Sequence, residues 1–192
     1  MSLNLPVLQT ERLVTRLASH RDVPAIVRYY RQNQAFLTPF EPARPDYFYT
    51  DRFWQEQVER NLIEFNYRQS LRLFVFDAFD NQEILGVINF TQFVEGISYF
   101  CYLGYSLAET AQGQGYMTEA LGVATRYVFD QMNMHRIMAN YMPHNQRSGN
   151  LLRRLGFVVE GYARDYLLID GKWRDHILTS LINPQWRGEI SP

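Results

Sequence analysis

Leu107-Ala-Glu-Thr-Ala-Gln-Gly-Gln-Gly-Tyr-Met-Thr-Glu-Ala-Leu121 sets a glycine-containing turn between a strand-like stretch and a helix-like one. Gly113 and Gly115 can adopt dihedrals that a Cβ penalises, and they let a bound group approach the main chain closely. The helix that follows leaves its first amide hydrogens without intrahelical acceptors and turns its positive end toward the turn. Amides from Gly113 to Met117 can therefore converge on an anion such as a diphosphate. A turn that merely connects strand to helix has the same composition, so the stretch alone leaves both readings open.

Upstream, Ser98 to Leu107 reads as a strand, preceded by the strand-like runs Leu71–Phe76 and Ile84–Phe90, with a turn at Asp80-Asn81 between them. Their short links predict an antiparallel meander. Downstream, Ala120, Leu121, Ala124, Val128 and Phe129 recur at helical spacing within Gly115 to Asn133, which predicts a helix crossing over to a strand at Arg136–Tyr141. Asn145 to Leu155 reads as a shorter helix ending before Gly156. Phe157–Gly161 and Trp173–Leu181 are the last strands, linked by Tyr162 to Lys172 with an Asp170-Gly171 turn.

Nearer the start, Arg12–Leu17 reads as the first strand, and Val23, Ile26, Val27 and Tyr30 mark a helix face beginning at Asp22. Thr38-Pro-Phe-Glu-Pro-Ala-Arg-Pro45 interrupts helix formation and is expected as a surface excursion. Asp51 is placed to cap a helix reaching Arg68, with Phe53, Trp54, Val58, Leu62 and Phe65 as its apolar stripe. This helical insertion either walls a cleft or simply covers the sheet with Trp54 and Phe65 as core.

At 192 residues and 46% hydrophobic, the chain can bury a sizeable core in one domain, read as residues 7–184 with a lightly packed tail over 185–192. Its single Cys101 makes no intrachain disulfide, and Met1-Ser-Leu-Asn lacks a signal-like basic start. No run approaches roughly 18 apolar residues, so a cytoplasmic protein without a membrane span is expected. A net charge of -1 argues against a general nucleic-acid requirement. The 13 Phe, 13 Tyr and 3 Trp suffice for both a core and a groove without saying which ring serves which.

Further blocks give the chain a family resemblance: Thr10-Glu-Arg-Leu-Val, Cys101-Tyr-Leu-Gly-Tyr, Gly115-Tyr-Met-Thr-Glu-Ala, His135-Arg-Ile-Met-Ala-Asn-Tyr-Met-Pro-His-Asn-Gln-Arg-Ser-Gly-Asn-Leu-Leu, Leu155-Gly-Phe-Val-Val-Glu-Gly-Tyr and Asp165-Tyr-Leu-Leu-Ile-Asp-Gly-Lys-Trp-Arg-Asp-His176. Together these resemble the GNAT superfamily of N-acetyltransferases, and more closely the bacterial family that acetylates the N-terminal alanine of ribosomal protein S5. Gln112-Gly-Gln-Gly115-Tyr-Met117 resembles the superfamily's Gln/Arg-x-x-Gly-x-Gly/Ala loop, with Met117 at the place of the last small residue. The resemblance implies a mixed α/β fold, with a twisted central sheet whose fourth and fifth strands splay around coenzyme A and helices on its flanks.

It also implies acetyl-CoA as co-substrate, no metal, and direct transfer to an amine. An α-amine, near pKa 8 against about 10 for lysine, is the easier one to present neutral, so alignment and oxyanion stabilisation can carry much of the rate. By resemblance, the backbone of Leu103-Gly104-Tyr105-Ser106-Leu107 pairs with pantetheine, and Gln112, Gly113, Gln114, Gly115, Tyr116, Met117 and Thr118 cradle the diphosphate. Tyr105 faces either core or cleft.

Asn140, Asn145 and Ser148 lie in the part that resembles the family's later coenzyme-binding region, where Asn145 also suits a helix cap. Ser148 is the candidate for leaving-thiolate protonation. The resemblance makes Glu160 a candidate general base, direct or through water; otherwise it anchors an arginine or recognises a positively charged terminus. Cys101 reads as a buried strand residue rather than a nucleophile, and His135, His144, His176 and Asp175 lack zinc spacing, His176 being the histidine to test.

Arg44, Tyr47-Phe48-Tyr49 and Trp54, with Tyr162, Asp165, Tyr166, Asp170 and Trp173, are candidate acceptor surfaces. The resemblance points to the S5 N terminus as partner, with transient ribosome or pre-ribosome association. Acetylation of another amine, or a non-catalytic coenzyme-binding or assembly role, stays open at this point.

Overall fold

The computed structural model describes residues 5–80 and 82–188. Eight strands form one mixed sheet in the order β1-β2-β3-β4-β5-β6-β8-β7. β3 (Ser70–Asp77), β4 (Ile84–Val94) and β5 (Phe100–Leu107) make the expected antiparallel meander, and β1 (Val7–Gln9) and β2 (Leu13–Arg16) extend it antiparallel at the β3 edge. The strand expected first is thus the second, because the short β1 precedes it and pairs along it. Asn81, half of the turn expected between β3 and β4, lies outside the described residues.

Helix α1 (Val23–Gln32) buries Val23, Ile26, Val27 and Tyr30, the face that the spacing marks. A short α2 (Gln34–Leu37) leads into the proline-rich excursion, where a single 3-10 turn forms over Thr38–Phe40 and, after the partly buried Glu41, Pro42 to Pro45 run exposed. α3 (Asp51–Asn66) is capped by Thr50 rather than Asp51: the Thr50 hydroxyl accepts from the Phe53 amide at 3.3 Å. Of its expected stripe, Trp54, Val58 and Phe65 are buried, whereas Leu62 faces outward. Trp54 stacks on Tyr30 at 5.0 Å and meets Phe48 and Phe74 edge-on, so α1 and α3 cover the sheet through an aromatic cluster. Four consecutive buried residues in β3, Leu73 to Phe76, show that the sheet is covered on both faces.

α4 (Tyr116–Asp130) performs the crossover, and β6 (Arg136–Tyr141) lies parallel to β5. That pairing runs only from Phe100↔Arg136 to Leu103↔Ala139. Beyond it, Gly104 to Leu107 stays with β4 while Asn140 and Tyr141 turn toward β8. The two strands diverge there, and with β1 included the splayed pair is the fifth and sixth strand by count. The separation leaves the β5 edge from Gly104 onward without a neighbouring strand, a position where an extended ligand can bond to main chain.

α5 (Gln146–Arg154) ends in a Schellman closure: the Phe157 amide donates to the Leu152 carbonyl at 3.0 Å, the Gly156 amide donates to the Arg153 carbonyl at 3.1 Å, and Gly156 has φ +89°. β7 (Val158–Ile169) and β8 (Lys172–Ile182) form a longer hairpin than expected, since most of Tyr162 to Lys172 is strand interrupted by a bulge between Ala163 and Leu167. Asp170 and Gly171 both take positive φ at its tip, the conformation of a type I′ turn. In the tail, Trp186 packs its ring 5.2 Å from those of Tyr99 and His135 and donates to the Asn133 carbonyl at 3.1 Å. Residues 189–192 lie outside the described ones. Among the described residues no helix is long and apolar enough to cross a membrane.

Candidate functional site

A cavity of about 750 Å³ opens where β5 and β6 separate. Its floor is Tyr105, Ser106 and Leu107 of β5. One wall is the loop and first turn of α4 (Gln112, Gly113, Gly115, Tyr116, Met117, Thr118), and another is α5 with its cap (Asn145, Arg147, Ser148, Asn150, Leu151, Arg154). Phe36, Leu37, Phe40 and Glu41 close the side toward the excursion.

The α4 wall is built for an anion. Gly113 has φ +76° and Gly115 φ +81°, and the helix makes its first main-chain bond from Glu119 to the Gly115 carbonyl at 3.1 Å. The amides of Tyr116, Met117 and Thr118 therefore lack intrahelical acceptors at the positive end of a 15-residue helix. Gln112 does not reach into the cavity with its amide; it donates back to the Leu107 carbonyl at 3.2 Å and braces the turn. Gln114 lies outside the cavity lining, its side chain donating to the Thr110 carbonyl.

Met117, the departure from the small-residue pattern, is accommodated from below. Its side chain is buried, and a Cβ on Gly86 of β4 would stand 3.0 Å from the Met117 Cε. Gly86 thus supplies room for the Met117 side chain under the loop. The loop is also tied from outside. Arg12 donates to the Gln114 carbonyl at 3.0 Å, pairs with Glu119 at 2.5 Å and sits 4.7 Å over the Tyr116 ring. Partial burial pushes the Glu119 carboxyl up, but hydrogen bonds from Thr10 and Arg12 prevail and hold it below the ordinary carboxylate range.

On the α5 side, the Tyr105 and Ser148 hydroxyls are 2.7 Å apart. Burial pushes the Tyr105 phenol up to about 12, so it remains a proton donor at neutral pH. Tyr105 thus faces the cleft, which resolves its two sequence readings. Asn145 caps α5, its Oδ1 accepting from the Ser148 amide at 3.2 Å, and it lines the cavity as well. Capping and ligand contact are compatible here because the cap is itself at the cavity. Arg147 and Arg154 make this wall cationic.

Besides Gln114, four expected site residues lie outside the lining. Leu103 is buried in the sheet, Gly104 pairs with Asn89, and Asn140 pairs with Leu178; none lines the cavity. Glu160 is also absent from the lining. It accepts from Arg136 at 2.5 Å and from Ser180 at 2.7 Å, and these bonds, Ser180's foremost, hold its carboxyl below the ordinary range. The bond to Arg136 is the contact that an arginine anchor makes, and a carboxylate favoured in its ionised form is a weaker base.

Cys101 is buried and pushed up to about 12 by desolvation, which suits an inert strand residue. His176 is buried with Nδ1 2.9 Å from the Arg174 carbonyl, and burial lowers its pKa. Asp175 turns away from it, accepting from the Asp165 amide at 2.9 Å and from the Tyr162 hydroxyl. Phe48 and Trp54, considered for an acceptor surface, belong to the core, while Tyr162 and Trp173 are exposed.

Phe36, Phe40, Glu41, Arg147 and Arg154 line the cavity and were not among the expected site residues. Arg147, Leu151 and Arg154 share one face of α5 at i, i+4, i+7, a spacing that reading from the Asn145 cap could have followed. Nothing local in a proline-broken segment signals that Phe40 and Glu41 return to the cleft.

The comparisons with known proteins agree with this geometry. Residues 12–158 match the Acetyltransferase (GNAT) domain. The chain is 51% identical over 180 residues to the [Ribosomal protein uS5]-alanine N-acetyltransferase of Escherichia coli, covering 93% of this chain and 92% of that one. It superposes on the ribosomal-protein-S5-alanine acetyltransferase of Vibrio fischeri with a TM-score of 0.90 at 34% identity, covering 95% and 99% of the two chains. For Mycobacterium smegmatis RimJ in complex with CoA-disulfide the TM-score is 0.84 at 26% identity, covering 95% and 90%. With its glycine-shaped α4 terminus, its splayed β5 and β6 and these matches along most of its length, the chain belongs to the GNAT acetyltransferase family.

Proposed function

We propose that the protein transfers the acetyl group of acetyl-CoA to the α-amine of the N-terminal alanine of ribosomal protein S5. The observation that carries the choice of acceptor is the 51% identity, spread over 93% of the chain, to an enzyme of that activity. The cavity supports the donor side. Free amides at α4, with Arg147 and Arg154 nearby, suit the phosphates, and the open β5 edge from Gly104 suits an extended pantetheine arm.

In this reading the loop Gln112–Thr118 binds through main chain, with Gln112 and Gln114 as braces, and Asn145 holds the start of α5. Leu103 and Gly104 set the strand edge, and Asn140 sets the opposite one. The Ser148 hydroxyl, backed by Tyr105, donates a proton to the thiolate that leaves when the amine attacks the thioester carbon. The amine nitrogen loses one proton to water before it attacks and a second as the amide forms, and water returns one of these to Ser148 through Tyr105, so both hydroxyls end neutral; Glu160 serves by fixing Arg136. The bound amine and thioester are brought together by position, which supplies most of the advantage over free solution.

The acetyltransferase unit spans residues 7–184, with 185–192 as a tail, in keeping with the family match over 12–158. The work belongs in the cytoplasm, with transient contact to the ribosome or its precursors while the S5 terminus is engaged. The test is to incubate the purified protein with acetyl-CoA and protein extract from cells lacking the activity, and to survey N termini by mass spectrometry. New acetylation of S5 alanine is expected. Acetylated metabolites with no protein product overturn the acceptor, and coenzyme binding without turnover overturns the reaction.

A further inference from the structure

The cavity straddles β5, and its two sides differ in charge. Tyr105 points to α5, where it meets Ser148 beside Arg147 and Arg154. Ser106, the next residue and therefore on the opposite face of the strand, points to α1, where its hydroxyl lies 3.0 Å from that of Tyr29. On that second side stands Glu41, the one acidic side chain among the described residues that line the cavity.

Glu41 is held rather than loosely exposed. Its carbonyl accepts from the Asp170 amide at 3.0 Å, so the tip of the β7–β8 hairpin is bonded to the excursion and forms an arch. Its Oε2 accepts from Arg44 at 3.3 Å, and Arg44 in turn sits 4.5 Å over the Phe48 ring. The side chain is 19% exposed. Among the described residues its Oε1 has no hydrogen-bond partner. Phe40, one residue earlier, extends toward His144 of the β6–α5 loop with rings 6.3 Å apart, so the same segment meets both far elements across the cleft.

An α-amine has an ordinary pKa near 8 and arrives at neutral pH mostly as an ammonium ion. Moving that charge out of water into a cleft is costly unless an opposite charge receives it. The α5 and α4 walls offer cations and helix-terminal amides, which suit phosphate and repel ammonium. Glu41 alone among the lining side chains supplies the complementary sign.

We propose that Glu41 is the acceptor-binding residue: its carboxylate receives the positively charged amine, and the Glu41–Asp170 bond fixes where that amine stops relative to β5. The proposal rests on the amine-acetylating reading above but not on which amine is used. The arch also bears on selectivity, because a segment bridged to a hairpin admits the end of a chain or a slender amine, not the middle of a folded polypeptide.

The test uses the full chain with Glu41→Gln and Glu41→Asp, assayed with a synthetic peptide of the S5 N terminus. Expected for Glu41→Gln is a rise of roughly 30-fold or more in the acceptor KM, the scale seen when one partner of a desolvated charge pair is removed. The KM for acetyl-CoA stays within about twofold, which also reports a folded donor site, and Glu41→Asp recovers part of the loss. Calorimetry on the CoA-loaded protein gives a second readout. Wild type is expected to prefer the free-amine peptide over its N-acetylated form, and Glu41→Gln to bind the two alike. An unchanged acceptor KM and an unchanged preference overturn the role of Glu41 and leave the S5 reading standing. If wild type acetylates a small amine and not the peptide, the S5 reading falls, and the same comparison made with that amine decides the role of Glu41.

Discussion

The Tyr105 hydroxyl lies 2.7 Å from the Ser148 hydroxyl, joining the floor of the cleft on β5 to the first turn of α5. Two neutral hydroxyls in contact can pass a proton to a leaving thiolate without either residue carrying a lasting charge. Ser148→Ala is expected to lower kcat by about 10²-fold, the lower range for losing a positioned proton donor, with small effects on either KM. Tyr105→Phe acts on the same pair, so the double variant loses less than the product of the single losses. Because burial holds the Tyr105 phenol near 12, kcat stays level through pH 10, where an ordinary tyrosine ionises. Steady-state kinetics from pH 7 to 10.5 check this, and a fall in kcat centred near 10 speaks against it.

The Arg12–Glu119 clasp acts one step further from the chemistry. Arg12 holds the Gln114 carbonyl and the Glu119 carboxylate together, so the residue just before β2 fixes the loop whose amides face the donor. Arg12→Ala is expected to raise the KM for acetyl-CoA roughly tenfold, about 1.4 kcal/mol, and to leave the acceptor KM alone. The clasp also has a pH signature. The folded pKa of Glu119 is depressed, so its contribution is fully present above the unfolded carboxylate value, near 4.3, and is lost as pH falls through the lower folded value. Acetyl-CoA binding measured by calorimetry therefore weakens below about pH 4 in wild type, and Glu119→Gln removes that step.

Much of this arrangement is written in local sequence. Gly113 and Gly115 ahead of an amphipathic run place the α4 terminus, and Asn145 before α5 places Ser148, because turns and caps are decided by the residues that form them. The meander and crossover follow from link lengths. Contacts between distant segments are not local. Nothing near Glu41 announces Asp170, 129 residues later, and nothing near Arg12 announces Gln114. Strand pairing hid in the same way: Val7–Gln9 is too short for a periodicity to register and exists as β1 because β2 offers it an edge. Glu160 stayed open between roles because a glutamate closing a strand shows its charge and not its partner Arg136.

Met117 and Gly86 form a complementary pair across the sheet. A Cβ at Gly86 would meet the Ser106 carbonyl at 2.6 Å as well as the Met117 Cε at 3.0 Å, so Gly86→Ala is expected to destabilise the fold by about 1–3 kcal/mol. Met117→Ala leaves a void under the loop and costs about 2–5 kcal/mol. Combined, the two changes cost less than their sum because the alanine Cβ enters space that Met117 vacates, while the Ser106 carbonyl prevents full recovery. Urea unfolding of the four proteins checks the non-additivity.

Glu160 separates the two ways in which a glutamate can matter in an acetyltransferase. Its hydrogen bonds to Ser180 and Arg136 keep it ionised well below neutral pH, and it lies outside the cavity lining. Glu160→Gln is therefore expected to leave the dependence of kcat/KM on pH between 6 and 9 unchanged. The Arg136 pair is partly exposed, so its loss costs stability only about 0–1 kcal/mol by the usual measure of such pairs. A catalytic base at this position requires the opposite result: the rising limb of the profile disappears in Glu160→Gln, and activity at pH 7 falls by about 10²-fold or more. Profiles of wild type and variant, recorded with the same S5 peptide at saturating acetyl-CoA, decide between the two, because an anchoring carboxylate that is already ionised has no proton to exchange in that range.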